Sequence, residues 1–305
     1  MVDILNSGDL LEQQLEEASN KGRLKRAKSV ELSKQTGITF NAQLQQMVRM
    51  IRQDVNEQLV PLLRELAPQY ERDGLTLDAW PDDIIATLRL IVDKWRSPTF
   101  RNLGEQIAAQ FVTTADKVNR ERFEASLGGF GFDLFADSPE LVDYINVSIA
   151  DNTRLIMSIP DQYLTNVESI VMSNVRAGNR PSAITKLLSD QFGVTQNRAK
   201  LIARDQTAKV NGDLSARRQT AAGFEYFQWL DSGDSRVRER HEDITDRVTA
   251  YGKGVYRWDN PPLSDRGTPI IPGEDFQCRC TARPVTRREV EENQAAGSVN
   301  PGVKR

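Results

Sequence analysis

The chain has 305 residues, 39% hydrophobic and 27% charged, with 40 lysines and arginines against 43 acids, one histidine and two cysteines. This balance excludes wholesale disorder, and a net charge of −3 excludes retention on DNA or an anionic membrane by overall charge, so any nucleic-acid contact has to come from a local patch. At roughly 100 to 200 residues per domain the length predicts two domains.

The amino terminus has neither the basic start nor the apolar run of a secretory signal. No stretch reaches the ~20 apolar residues of a membrane span. The expectation is a cytoplasmic protein without membrane contact. Residues 1–35 are charge-rich, acidic from Glu12 to Glu17 and then basic at Lys21, Arg23, Lys25, Arg26 and Lys28. They read as a mobile or partner-ordered arm. The basic cluster is either a solvated helix face or a nucleic-acid contact.

Helical spacing begins at residue 40, with Leu44, Met47, Val48, Ile51, Val55, Leu59, Leu62, Leu63 and Leu66 on one stripe and a kink or break expected at Pro61. A second helix carries Ile84, Ile85, Leu88, Ile91, Val92 and Trp95 and starts at Pro81. A third follows Pro98, with Phe100, Leu103, Ile107, Phe111 and Val118 on one face. These make a helical amino-terminal domain over 36–135. The glycine run Gly128 to Phe132 is a hinge or tight corner. It lacks the preceding strand and the Lys-Ser/Thr of a phosphate-binding loop.

Ser138-Pro139 caps a helix carrying Leu141, Ile145, Ile149 and Ile156, and Pro160 is expected to start another through Val175. Pro181 opens a short helix that Gly193 is expected to close. A long helix then runs from Val194 to a stop at Gly223. Beyond it the composition changes. Phe224 to Trp229, Val255 to Trp258 and Cys278 to Pro284 read as short strands between long loops, and the polar tail 289–305 is expected to fray.

All three soft ligand residues fall in this last part: His241, Cys278 and Cys280. A disulfide between cysteines one residue apart would close a strained small ring. Alternate residues of an extended segment share a face, so the two thiols with His241 form three ligands of a zinc site, which Asp234, Asp275 or water would complete. A thiolate nucleophile with His241 as base, oriented by Asp234 or Asp275, is a second arrangement the residues allow. Buried thiols packed as small hydrophobes are a third. Arg236, Arg238, Arg240, Arg279 and Arg283 suit phosphate or acidic side chains.

The order Ala199-Lys-Leu-Ile-Ala-Arg204-Asp-Gln-Thr207, Asn211, Gly223, Trp229, Asp234-Ser-Arg236-Val-Arg238-Glu-Arg-His241, Pro272-Gly273 and Cys278-Arg279-Cys280 resembles the phage Mu F-like family of minor head, or head morphogenesis, proteins of tailed bacteriophages. The resemblance covers about residues 140–285. Its most specific part is the pairing of Arg-x-Arg-x-x-His with Cys-Arg-Cys. Asp205-Gln206 stands where the family usually has Thr-Glu, and Asp246 where a glycine commonly follows the histidine.

The resemblance implies a mainly α protein, with a helical amino-terminal domain followed over 136–288 by a Mu F-like α+β domain of helices and a short antiparallel sheet. It implies a virion protein in the capsid interior near the portal vertex, a few copies of which are packaged in the procapsid. Its partners would be the portal protein, the major capsid or scaffolding protein and phage DNA, with a part in genome packaging or delivery. Trp229, Asp234, Arg236, Arg238, His241, Pro272, Cys278, Arg279 and Cys280 are then the structural centre of the domain, and no catalysis is required. The competing classes are a metal-dependent hydrolase or nuclease on His241, Cys278 and Cys280 with Asp234 or Asp275 assisting, and a DNA-binding module using the Lys21 to Lys28 cluster and the arginines around His241.

Overall fold

The computed structural model describes residues 27–65, 80–127, 139–177 and 179–305. The basic residues Lys21, Arg23, Lys25 and Arg26, the glycine run Gly128 to Phe132, Leu66 and Ser138 lie outside them; Lys28 lies within them and is exposed. Seven α-helices are present among the described residues: α1 (Lys34–Asp54), α2 (Trp80–Arg96), α3 (Pro98–Ser126), α4 (Pro139–Arg176), α5 (Pro181–Ala221), α6 (Glu239–Asp246) and α7 (Arg287–Ala295). Five short strands accompany the last part of the chain: β1 (Tyr226–Leu230), β2 (Val248–Thr249), β3 (Gly252–Lys253), β4 (Val255–Arg257) and β5 (Thr281–Val285). The fold is mainly helical with a small antiparallel carboxyl-terminal sheet, as the residue pattern predicts.

Three helix boundaries differ from those predictions. The chain stays helical past Pro61: a π-helical turn at Val55–Leu59 precedes it, with the Val60 N–H bonded five residues back to Val55 O. The wider turn is the local answer to a residue that has no N–H and crowds the preceding carbonyl. Pro160 starts no helix but sits inside α4. It is buried on a stripe with Ile156, Ile159, Tyr163, Leu164 and Val167, and that apolar contact outweighs one missing backbone bond. Gly193 likewise lies within α5. A helical glycine costs only about 1 kcal/mol against alanine, and the buried series Leu188, Phe192, Thr195, Ala199, Ala203 continues across it.

Gly223 does end α5, at φ +81°, with the Phe224 N–H returning to Gln219 O at 2.9 Å. This left-handed turn aims the following aromatic run into β1.

The chain forms two compact units, neither one continuous run: Gly37–Phe111 with Val147–Arg204, and the described residues of Met1–Thr36 with Val112–Asn146 and Asp205–Arg305. The first unit is all helix. Its core includes Phe40 stacked on Phe111 at 4.0 Å, and a buried polar clasp in which the two Asp54 oxygens accept from Lys94 Nζ and Trp95 Nε1, each at 2.7 Å.

The second unit holds the sheet, ordered β4-β1-β5 and antiparallel throughout, with Phe227 opposite Tyr256 on one side and Pro284 on the other. Phe227, Trp229, Ile244, Tyr256, Ile270, Cys278, Cys280 and Ala282 form its main core cluster. The strands β2 and β3 make a separate hairpin.

Both ends expected to be loose are packed where described. Ala27 and Val30 are buried with Phe123, Leu127, Ala222 and Phe224, and the Asn211 amide donates to Val30 O at 3.3 Å. In the tail, Thr286 and Glu289 form a reciprocal capping box at the start of α7, whose Val290 joins Val255 and Val285 in a further cluster. Residues beyond α7 pair back, with Asn300 N donating to Thr249 O at 2.8 Å and Ala250 N to Val303 O at 2.6 Å.

Candidate functional site

Helix α6 is two turns long, and its inward residues are three apart, His241 and Ile244, both buried. Tyr256 Oη donates to Ile244 O at 2.7 Å and ties the helix to β4. Opposite lies the extended segment 278–280, which enters β5. Its alternation puts Cys278 and Cys280 on one side, and both sulfurs meet the same imidazole nitrogen: His241 Nδ1 is 3.6 Å from Cys278 Sγ and 3.5 Å from Cys280 Sγ. The other ring nitrogen, Nε2, is 3.0 Å from Asp275 Oδ2. The indole of Trp229 meets the imidazole edge-on with ring centres 5.4 Å apart. His241, Cys278 and Cys280 are 3%, 4% and 5% exposed, so the cluster is closed to a substrate of any size.

The electrostatics follow from that packing. The Cys280 hydrogen bond pulls the Cys278 thiol well down, with burial opposing and His241 assisting; the same hydrogen bond, with burial, pushes Cys280 up. Burial pushes the His241 imidazolium down, but the hydrogen bond and charge of Cys278, with those of Asp275, outweigh it and leave the net shift upward. The thiols are free in the sense that no disulfide joins them.

The loop that delivers the cysteines is anchored by residues on α5. Gly212 lets Pro272 O approach so closely that a Cβ there would stand 2.2 Å from it, and Gly273, at φ +96°, lies in turn against Ala208 O. Asp205, 6% exposed, accepts the Gln277 N–H at 2.7 Å and pairs with Lys209 at 3.0 Å. Gln277 itself has φ +59°, an unusual angle for a non-glycine residue, held by this bond just before Cys278. Asp205 is therefore a positioning residue. The sequence showed it only as a departure from the family's usual Thr-Glu, and its partner did not show there.

The arginines converge on acids and carbonyls of the same unit. Arg279 grips Asp234 through both terminal nitrogens, one at 2.6 Å, and Arg236 adds its backbone N–H at 3.0 Å and its guanidinium at 3.1 Å. These bonds, Arg279 first and Arg236 second, hold the Asp234 carboxyl well below the usual carboxylate range. Asp234 is thus engaged away from His241, and the carboxylate on the imidazole is Asp275. Arg238 donates to Phe276 O and lies 3.5 Å from Asp275. Arg240 donates to Leu263 O at 2.7 and 2.9 Å, and Arg283 pairs with Glu289 at 3.0 Å. Trp229, Asp234, Arg236, Arg238, His241, Pro272, Cys278, Arg279 and Cys280 are thus brought into one neighbourhood. Lys28 is in the same unit and exposed.

A second buried polar group sits farther along α5. Arg218, 1% exposed, pairs with Asp116 and donates to Asn119 Oδ1 at 2.6 Å, while the Asn119 amide donates to Ser215 Oγ at 2.9 Å and Asn211 Oδ1 at 3.1 Å. This network fastens α3 to α5.

These features define a mainly helical protein whose small antiparallel sheet carries a closed His-Cys-Cys centre, braced by a loop locked onto a long helix. Residues 165–283 match the family model described as Phage Mu protein F like protein, so that segment is similar to the Mu F-like family. The matched segment contains every residue of the centre. An uncharacterized protein of Haemophilus influenzae is 30% identical over 274 residues, which make up 88% of this chain and 57% of that relative. The chain thus spans little more than half of that relative's length. No solved structure matches the chain. Among the described residues no helix is long and apolar enough to cross a membrane.

Proposed function

We propose that the chain is a minor capsid protein of a tailed bacteriophage that acts in head morphogenesis, is associated with the portal inside the procapsid and assists genome packaging or delivery. The observation that carries this reading is the coincidence of the Mu F-like match over 165–283 with the single structural centre that those residues build. The centre's burial favours a structural role over an enzymatic one. A Cys278-His241-Asp275 relay has the order of a nucleophile, a base and an orienting carboxylate, but a nucleophile 4% exposed under Trp229 offers no approach to a substrate. The arginines of the motif are engaged with acids and carbonyls of the same unit, which favours assembly over phosphate binding.

The test is co-expression of the chain with the portal, scaffolding and major capsid proteins of its own genome, followed by sedimentation. The expected result is a few copies per procapsid, present only when the portal is present. A chain that stays at the top of the gradient with or without the portal would overturn the reading.

A further inference from the structure

We infer that His241 Nδ1, Cys278 Sγ and Cys280 Sγ hold one zinc ion, with a water in the fourth position, and that this ion fastens α6 to the segment entering β5. The three ligand atoms all lie within 4.8 Å of one another. A tetrahedral zinc with nitrogen at about 2.0–2.1 Å and sulfur at about 2.3 Å separates neighbouring nitrogen and sulfur ligands by about 3.6 Å. The observed separations are 3.6 and 3.5 Å. Both nitrogen–sulfur edges of the ligand triangle thus match a zinc site, and the sulfur–sulfur edge is no longer than 4.8 Å.

Nδ1 offers a single lone pair, or a single N–H, in the ring plane, so two sulfurs at nearly equal distance share it only as a three-centre bond, weaker to each than a direct one. A cation lying between all three atoms satisfies each of them in full. The remaining ring nitrogen points the same way. Asp275 Oδ2 at 3.0 Å from Nε2 keeps the proton on Nε2 and turns the Nδ1 lone pair toward the sulfurs, the carboxylate–histidine–metal arrangement that fixes tautomer and ring orientation. Trp229 Nε1 is buried with no hydrogen-bond partner among the described residues, and its indole packs edge-on against the His241 ring.

The two carboxylates that stood as completing ligands are both engaged. Asp234 is held by Arg279 and Arg236, and Asp275 by His241 and Arg238. That leaves the fourth position to water. The soft thiolate and imidazole set selects zinc over magnesium, calcium or manganese.

Metal analysis of the full chain, purified without chelator and without a metal-affinity tag, tests this together with thiol titration under native conditions. One zinc per chain is expected, with both thiols masked until the metal is withdrawn. Cobalt(II) added to the metal-free chain should give a sulfur-to-metal charge-transfer band and tetrahedral ligand-field bands saturating at one equivalent. Asp275→Asn should weaken zinc binding about 10–100-fold while the cobalt bands keep their positions. Should Asp275→Asn fail to fold, the cobalt titration of the unaltered chain still decides. A chain free of metal, without cobalt bands, whose two thiols react only on unfolding would overturn the inference.

Discussion

Replacing Gly212 by alanine tests the way the cysteine-bearing loop is seated. The new Cβ would stand 2.2 Å from Pro272 O and 3.4 Å from Gly273 Cα, both backbone atoms that cannot rotate aside. Comfortable contact begins at roughly 3.5 Å, so the loop would have to retreat by about 1 Å. Overpacking of this kind costs about 1–3 kcal/mol. Against it stands the gain of about 1 kcal/mol that alanine brings to a helix interior. The net expectation for Gly212→Ala is a loss of up to about 2 kcal/mol. Gly193→Ala, in the same helix but with nothing within 4 Å of its Cβ, keeps only the gain and should stabilise by up to about 1 kcal/mol. At about 2–4 °C per kcal/mol for a domain of 150–250 residues, thermal melts followed by circular dichroism separate the two signs. The retreat should also speed the reaction of Cys278 and Cys280 with a thiol reagent in Gly212→Ala alone. Two alanine variants that both raise the melting temperature would refute the reasoning.

Four further outcomes follow from named contacts. Arg218→Met should cost about 3 kcal/mol, the low end for a buried pair because Asp116 is 23% exposed, since it leaves the Asp116 carboxylate and Asn119 Oδ1 without the guanidinium, and Arg218→Met with Asp116→Leu should recover much of the loss in a denaturant titration. Asp205→Ala removes the acceptor of the Gln277 N–H and should cost about 1–3 kcal/mol, with faster amide exchange at Gln277 as the direct readout. The Asp234 carboxyl is depressed in the folded chain by Arg279 and Arg236, so its contribution is present above the unfolded carboxyl's range and lost as pH falls through the folded value. The melting difference between the native chain and Asp234→Asn should therefore persist from neutral pH to about pH 4 and vanish in stronger acid. Zinc removal should lower the melting temperature of the native chain and leave that of His241→Ala unchanged, read by melts with and without chelator.

Much of this architecture was legible in the residues. The three- and four-residue steps of Leu44 to Leu63 and of Ile84 to Trp95 mark helix faces that are buried, and the aromatic run before Trp229 marks β1. Gly223 marks a helix end because the chain takes a left-handed turn there, which Gly193, inside α5, does not. Pro160 and Gly193 carry the same local signal without the same outcome, since their stripes continue on both sides and tertiary burial outweighs one bond or one glycine. The centre was visible as a set of residue types because the chain has no other histidine or cysteine. Its wiring was not. Choosing Asp275 over Asp234 for His241 depends on where Arg279 reaches, and the role of Asp205 depends on a contact 72 positions away. One local signal went unused: Thr286-Arg-Arg-Glu289 is a capping box in plain sequence, and it starts the helix where fraying was expected.

X-ray absorption at the zinc edge of the chain as isolated examines the centre itself. The account predicts a four-coordinate spectrum with two sulfur neighbours at about 2.3 Å and two light neighbours at about 2.0–2.1 Å, one of them an imidazole. An absence of zinc, or zinc surrounded by oxygen alone, would contradict it.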